Sequence, residues 1–311
     1  MKTNIPKISF IIPAKNESAS LKLLLPALRT NFSQAEIILV NDGSTDQTGE
    51  IAAACGVQVY HHPYSLGNGA AIKAGARMAQ GEIFIFMDGD GQHSVEEVPI
   101  LLQKYLEGYD LVVGARDHRG QASLLRSLAN TLYNKIASLI VGQPVKDLTS
   151  GFRVVNAKKF KQFLYLLPNG FSAPSTITMA FFRSGYCVGY QPIKVLARIK
   201  NSQSHIRPLS DGLKFLLILY KMTILYSPLK IFVPLSFLFF AIGLSNYAYT
   251  YFAQNRFTNM SAVLISLSVI IFLIGLVCEQ ITALMYARQP IALSTRRPFT
   301  RLSKHKTHAQ F

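Results

Sequence analysis

The residues best suited to chemistry in this chain lie in the run Met87-Asp88-Gly89-Asp90-Gly91-Gln92-His93, directly after the apolar stretch Ile83 to Phe86. Asp88 and Asp90, one residue apart, and Gln92 at the same spacing supply hard oxygen donors of the kind that hold Mg²⁺ or Mn²⁺ against a diphosphate. The ion would stabilise charge on a departing nucleotide. Asp and Gly also build ordinary tight turns, so the run needs context before it reads as a site. That context lies upstream, where Pro13-Ala14-Lys15-Asn16-Glu17-Ser18 and Asn41-Asp42-Gly43-Ser44-Thr45-Asp46 each end an apolar stretch with acidic and amide groups.

These runs must be positioned by strands. Short apolar stretches at Ile8 to Ile12, Glu36 to Val40, Val57 to Tyr60, Ile83 to Met87 and Asp110 to Val113 alternate with helix-patterned segments, as in a parallel sheet covered on both faces. The reading is a doubly wound α/β domain, in which ligands collect at the carboxyl edge of the strands. The first helix carries Leu21, Leu24, Leu25 and Leu28 on one stripe, with Ser18 or Ser20 as its cap. A helix over Gln121 to Val141 repeats Leu124, Leu125, Leu128, Leu132, Ile136, Leu139 and Ile140 at helical spacing and reads as a core helix.

The second half changes character. Leu209 to Tyr226 is an amphipathic segment interrupted by Lys214 and Lys221 and reads as an interfacial helix. Ile231 to Asn255 and Phe257 to Cys278 are each long enough to cross roughly 30 Å of hydrocarbon. Pro234 falls within the first turn or so of the first span, where its missing donor costs little, Gly243 and Gly275 mid-span for close helix packing, and Glu279 at the end of the second as a snorkelling carboxylate. The expected organisation is a catalytic domain over 1–208, an interfacial helix over 209–230, a transmembrane pair over 231–286 and a basic tail over 287–311.

The net charge of +16, from 32 Lys and Arg against 16 Asp and Glu, calls for acidic partners. The basic residues gather beside the apolar spans and in the tail (Arg288, Arg296, Arg297, Arg301, Lys304, Lys306), which favours anionic membrane lipid. No Trp, RNA-binding signature or basic helical stripe supports nucleic acid. Lys221, Lys230 and the tail flank the outer ends of the spans, whereas the connection carries only Arg256, so the positive-inside bias puts both termini and the catalytic domain in the cytoplasm. The apolar run ending at Pro13 is too short for a signal-peptide core. Cys55, Cys187 and Cys278 lack the spacing of a zinc site.

Taken together, the chain resembles the family 2 glycosyltransferases, most closely the dolichol-phosphate mannose synthase and bacterial polyprenyl-phosphate glycosyltransferase branch. Besides the three runs above, the resemblance rests on Gly67-Asn68-Gly69-Ala70-Ala71, Gly114-Ala115-Arg116 and, most specific to the branch, Asp147-Leu148-Thr149-Ser150-Gly151-Phe152-Arg153. It implies a Rossmann-like, nucleotide-sugar-binding domain of the type A glycosyltransferase fold. In that fold Pro13, Lys15, Glu17, Asp42, Asp88 and Gly89 would contact the nucleotide, and Asp88, Asp90 and Gln92 the metal. Arg116 and Arg153 would hold phosphate oxygens, as guanidinium forks suit, together with Thr149, Ser150 and Arg198 on the acceptor side. Asp90, Asp147, Arg116 and Arg153 form the catalytic set. Asp147 reads either as an acceptor-orienting group or base, or as a cap beside Thr149.

The resemblance further implies inverting transfer of a hexose from a UDP- or GDP-sugar to a polyprenyl phosphate such as undecaprenyl phosphate at a bacterial-type inner membrane, and copies assembled through the spans. Lys15, Asn41 and Asn68 depart from the usual residues, which leaves the nucleobase open. The segment Phe171-Ser172-Ala173-Pro174-Ser175-Thr176 holds no acid where hydroxyl-accepting relatives place one. A phosphate monoester, with a second pKa of about 6, is already a nucleophile at neutral pH and needs none. Arg198, Ser202, Ser204, His205 and Arg207 resemble the loop that follows the catalytic core in the family. Two other readings are an inactive nucleotide-sugar-binding scaffold and a processive polysaccharide synthase, the latter disfavoured by the missing Trp signature and the small number of spans.

Overall fold

The computed structural model describes residues 6–116, 124–170, 172–196, 220, 223–255 and 258–287. Arg198 and the loop to Arg207, most of the expected interfacial helix, Phe171, Arg256 and the basic tail lie outside the described residues. The chain divides into two compact units, one built on the N-terminal residues to His205 and one over 206–292.

The first unit is a seven-stranded sheet with helices on its faces. Its strands are β1 (Ile8–Ala14), β2 (Glu36–Asp42), β3 (Gln58–His62), β4 (Ile83–Phe86), β5 (Leu111–Arg116), β6 (Arg153–Asn156) and β7 (Val188–Ile193), in the spatial order β3-β2-β1-β4-β6-β5-β7. The helices between them are α1 (Ser18–Asn31), α2 (Thr48–Ala54), α3 (Asn68–Met78), α4 (Val98–Leu106), α5 (Leu124–Val141), α6 (Ala157–Lys161) and α7 (Ala173–Arg183). All five expected strands are present, and strands β1 to β4 pair in parallel. The sheet is nevertheless mixed: β6 runs antiparallel to both β4 and β5. Its four residues include a buried arginine, so no apolar run announces it.

Phe10, Ile12, Leu39, Ile85 and Val112 of the sheet and Leu21, Leu25 and Leu28 of α1 share one buried cluster, which explains the leucine stripe. The expected serine cap of α1 is absent. Ser18 and Ser20 lie inside the helix, and its early amides are met from another loop, Glu17 N–H by Thr48 Oγ1 at 2.9 Å and Ser18 N–H by Asp46 Oδ2 at 3.2 Å. Helix α5 is only partly a core helix. Tyr133, Ala137 and Ile140 are buried, whereas Leu132 and Leu139 are 59% and 75% exposed.

The second unit holds two long apolar helices, α8 (Leu229–Gln254) and α9 (Asn259–Ala287), each of the length and composition to cross a membrane. They pack as a hairpin. A Cβ on Gly243 would press on Leu264 and Ile265, and one on Gly275 on Phe232, so both glycines permit the close approach their sequence positions suggested. Ser236 Oγ donates to Ser268 O at 2.8 Å between the helices, and Asn246 Oδ1 accepts from Thr258 Oγ1 at 3.2 Å and Ser261 Oγ at 2.8 Å toward the turn, bonds that an apolar surround does not compete for. Large side chains such as Phe252, 84% exposed, cover the outside. Pro234 falls in the second turn of α8 rather than the first, and α9 continues eight residues past Glu279, so that carboxylate lies within the helix.

Candidate active site

The loops after β1, β2 and β4 meet at one edge because their strands are neighbours in parallel register, Ala14 opposite Asn41 and Ile11 opposite Phe86. Side chains then knit the loops together. Asn16, in the left-handed region at φ 56°, donates its amide to Ser44 Oγ at 3.0 Å and accepts the Thr45 amide at 2.8 Å. Gly89 donates to Pro13 O at 3.3 Å and accepts from Ser20 Oγ at 2.7 Å. A Cβ on Gly89 would lie 3.1 Å from Ala14 Cβ, so the acidic turn crosses close over β1. Lys15 is exposed and Glu17 partly buried beside this junction.

Asp42 is buried and fully engaged. Its carboxylate accepts from His62 Nδ1 at 2.6 Å, Ser65 Oγ at 2.7 Å, and the amides of Leu66 at 2.8 Å and Gly67 at 2.9 Å. Burial alone would raise its pKa, but His62 and the other donors outweigh that and hold it below the ordinary carboxylate value. These bonds shape the loop that enters α3. Asn41, beside it, accepts the Ser44 amide at 3.0 Å and places its amide nitrogen 3.2 Å from His61 Nδ1. The first amides of α3 are taken as well: Gly69 donates to Gly170 O at 3.2 Å and Ala70 to Asn169 O at 2.8 Å. This helix start is closed by the chain leading into α7 rather than left open for an anion.

Asp88 and Asp90 follow β4. Asp88 N–H donates to His93 Nδ1 at 3.3 Å, and Gln92 N–H to Asp90 Oδ1 at 3.1 Å. The Asp88 carboxylate rests against Gly151, where an added Cβ would lie 2.8 Å from Oδ1 and 2.9 Å from Cγ. Burial pushes the Asp88 pKa up and the charge of Asp90 adds to it, while His93, Arg116 and Arg153 oppose. His93 and Gly151 stand inside the runs that the sequence singled out, but neither carries an assigned role there; the stack of His93 on Phe152 and the contact of Gly151 with Asp88 join residues that no local spacing brings together.

The Asp147 to Arg153 loop is the other wall. Asp147 takes the Arg116 fork, Nε at 2.8 Å on Oδ2 and Nη2 at 3.0 Å on Oδ1, and also the amides of Thr149 at 3.0 Å and Ser150 at 3.1 Å. Thr149 Oγ1 accepts from the same Arg116 Nη2. Burial would raise the Asp147 pKa, but the hydrogen bonds and charge of Arg116 keep it low, which makes it a poor base. Arg153, 2% exposed, gives Nε to Ser150 O at 2.6 Å, Nη1 to Pro174 O at 2.6 Å and Thr178 Oγ1 at 2.7 Å, and Nη2 to Leu148 O at 3.1 Å. Burial lowers its pKa to about 10, so it stays charged at neutral pH while bracing the loop from inside. Asn134 of α5 fixes the loop's start, donating to Lys146 O at 2.7 Å and accepting from Leu148 N–H at 3.1 Å.

Asp88, Asp90, Arg116, Asp147, Thr149, Ser150 and Arg153 thus converge, and Pro13, Glu17, Asp42 and Gly89 lie on the adjoining loops. Among the described residues no three His, Cys, Asp or Glu form a metal cluster. The donor set of Asp88, Asp90 and the Gln92 amide is all oxygen and suits Mg²⁺ or Mn²⁺, and a divalent cation would offset the repulsion between the two carboxylates. Ser150 Oγ, buried with no hydrogen-bond partner, is a further polar atom at this wall.

Comparison with known proteins gives two family matches, glycosyl transferase family 2 over residues 9–164 and GtrB C-terminal hairpin over residues 227–284. The chain is 34% identical over 168 residues to the putative glycosyltransferase CsbB of Bacillus subtilis (51% of this chain, 51% of that protein). It is 35% identical over 153 residues to the undecaprenyl-phosphate 4-deoxy-4-formamido-L-arabinose transferase of Photorhabdus laumondii (46% and 47%). These matches span about half the length of each relative. Glycosyltransferase AglJ of Haloferax volcanii is 27% identical over 241 residues (76% and 78%). Glucosyl-3-phosphoglycerate synthase from Mycobacterium tuberculosis, solved with Mn²⁺, UDP and glucosyl-3-phosphoglycerate, superposes with a TM-score of 0.56 at 22% identity, covering 70% of this chain and 79% of that one. That likeness concerns the fold, a mixed α/β sheet of seven strands. The edge-clustered acidic turn, the sheet order and the matched first half together make this chain a member of glycosyltransferase family 2, carrying the GtrB type of C-terminal hairpin.

Proposed function

We propose that this chain transfers a hexose from a UDP- or GDP-sugar to a polyprenyl phosphate such as undecaprenyl phosphate, with inversion, at the cytoplasmic face of a bacterial-type inner membrane. The observation that carries the reading is the meeting of the Asp88 carboxylate with the Arg116–Asp147–Thr149 cluster across Gly151. It sets a diphosphate-side group beside a cationic, hydroxyl-bearing wall suited to a second phosphate. The undecaprenyl-phosphate transferases among the relatives support the acceptor class. The Mn²⁺ and UDP of the mycobacterial synthase support the donor class.

In this reading Pro13, Lys15, Glu17, Asp42 and Gly89 line the nucleoside side, and Asp88, Asp90 and Gln92 hold Mg²⁺ or Mn²⁺. The bound ion supplies charge stabilisation for the departing nucleoside diphosphate. Arg116, with Nε and Nη2 fixed by Asp147 and Thr149, turns its remaining donors toward acceptor phosphate. Thr149 and Ser150 flank it, Arg153 braces the loop, and Arg198 belongs to the same proposal. An acceptor phosphate oxygen attacks the anomeric carbon as its bond to the donor diphosphate breaks, and the diphosphate leaves with the electron pair. The acceptor is already ionised, so no proton has to move and the engaged Asp147 is not needed as a base.

The hairpin over 231–286, an interfacial segment over 209–230 and a basic tail over 287–311 would hold the 1–208 domain at an anionic lipid surface, with copies of the chain associating through the spans. The exposed Leu132 and Leu139 of α5 offer further apolar surface. Release of nucleoside diphosphate that requires both Mn²⁺ and added undecaprenyl phosphate, and that is lost in Asp90→Ala, tests the reading. Equal release by Asp90→Ala and the wild type would overturn it.

A further inference from the structure

His93 is 7% exposed and has no part in the chemistry described so far. Its surroundings are specific. Met87 N–H and Gly89 N–H both reach back to β1, at Ile11 O and Pro13 O, each at 3.3 Å. The intervening Asp88 N–H points the other way, as alternate residues of an extended chain do. On that side the β4–β6 ladder has already stopped, at Phe86 opposite Arg153. A half-buried amide at this point needs an acceptor, and His93 Nδ1, 3.3 Å away, takes the place of the missing ladder carbonyl.

The ring itself is held. It stacks on Phe152 with centroids 5.0 Å apart and planes 20° from parallel. The His93 backbone forms an isolated bridge to Val195, and Gln92 O accepts the Leu196 amide at 3.0 Å. One face of the imidazole thus reads the position of the Asp147 to Arg153 loop, while its edge fixes the Asp88 peptide, whose carboxylate returns to the same loop at Gly151.

We infer that His93 is a positioning residue that sets Asp88 for divalent-cation binding and keys it to the phosphate-facing loop. The inference rests on the metal reading proposed above. Phe at this position keeps the stack and loses the acceptor, whereas Asn places an amide oxygen near the former Nδ1 and loses the stack. Acceptor and packing roles can therefore be separated.

The test is calorimetric titration of Mn²⁺ into the full-length detergent-solubilised protein, with UDP or GDP present, for wild type, His93→Phe and His93→Asn, alongside metal-free melting temperatures. The expected result is about tenfold weaker Mn²⁺ binding in His93→Phe with a melting temperature lowered by only a few degrees, as loss of one hydrogen bond predicts, and with most of the affinity recovered in His93→Asn. Should His93→Phe fail to fold, His93→Ala against His93→Asn makes the same comparison. Wild-type affinity in His93→Phe, or equal loss in His93→Asn, would overturn the role of His93 while leaving the metal reading intact. A wild-type protein that binds no Mn²⁺ with either nucleotide would overturn both.

Discussion

Gly151→Ala is a one-methyl perturbation whose consequence can be worked from the structure. The backbone at Gly151 lies outside the left-handed region, so alanine is conformationally acceptable and only the contact matters. The new Cβ would lie 2.8 Å from Asp88 Oδ1, 2.9 Å from its Cγ and closer still to Oδ2. Comfortable contact needs about 3.5 Å, so the carboxylate or the loop has to retreat by roughly 0.5–1 Å. Oxygen ligands of Mg²⁺ sit within a few tenths of an ångström of about 2.1 Å, and a displacement of that size removes one. A misplacement near 1 Å in a reacting constellation costs on the order of 100-fold in rate. Overpacking costs about 1–3 kcal/mol of stability. Sugar transfer, Mn²⁺ affinity and the melting temperature should be measured together. Transfer should fall about 100-fold and Mn²⁺ binding weaken while the protein still melts cooperatively. Wild-type transfer and Mn²⁺ affinity in Gly151→Ala would refute the claim that Asp88 is seated on this glycine for metal binding.

Three other outcomes follow from the same geometry. Arg153→Met fills similar space but leaves the carbonyls of Ser150, Pro174 and Leu148 without their donor, and should cost about 2–4 kcal/mol, read as a melting temperature lowered by roughly 5–15 °C. Asp147→Asn keeps an oxygen for Arg116 but removes the charge. It should raise the KM for lipid phosphate several-fold and leave the shape of the pH–rate profile unchanged, whereas loss of the acidic limb would mark Asp147 as a general base. Asp42, whose folded pKa lies below 3.8, contributes stability that is complete above 3.8 and is lost as pH falls through the folded value. Asp42→Asn should therefore be less stable at pH 7 and show a flatter decline below pH 3.8 in denaturant midpoints.

Much of this was legible in the sequence, for identifiable reasons. Strands β1, β2 and β4 are runs of apolar residues ended by turn-forming polar groups, and a parallel register brings their ends together without further information. The leucine stripe of α1 reports its core-facing side directly. Strand β6 escaped because it is short and begins with the buried Arg153, whose partners are the Leu148 and Ser150 carbonyls of its own loop and the distant Pro174 carbonyl of α7. The same non-local bonding hid the state of the site residues. Nothing in the spacing of Asp42 shows that four donors already occupy its carboxylate. Nor does the spacing of α3 reveal that Asn169 and Gly170 close its first turn. Leu132 and Leu139 fit the helical period of α5, yet periodicity could not say that they face outward.

The most direct test of the central claim is to incubate the purified full-length chain with Mn²⁺, undecaprenyl phosphate and a panel of UDP- and GDP-hexoses carrying a labelled sugar, then to extract the lipid. The account predicts that label from at least one donor enters the lipid fraction only when both the ion and the lipid phosphate are present. Donor hydrolysis with no lipid-linked label from any member of the panel would contradict it.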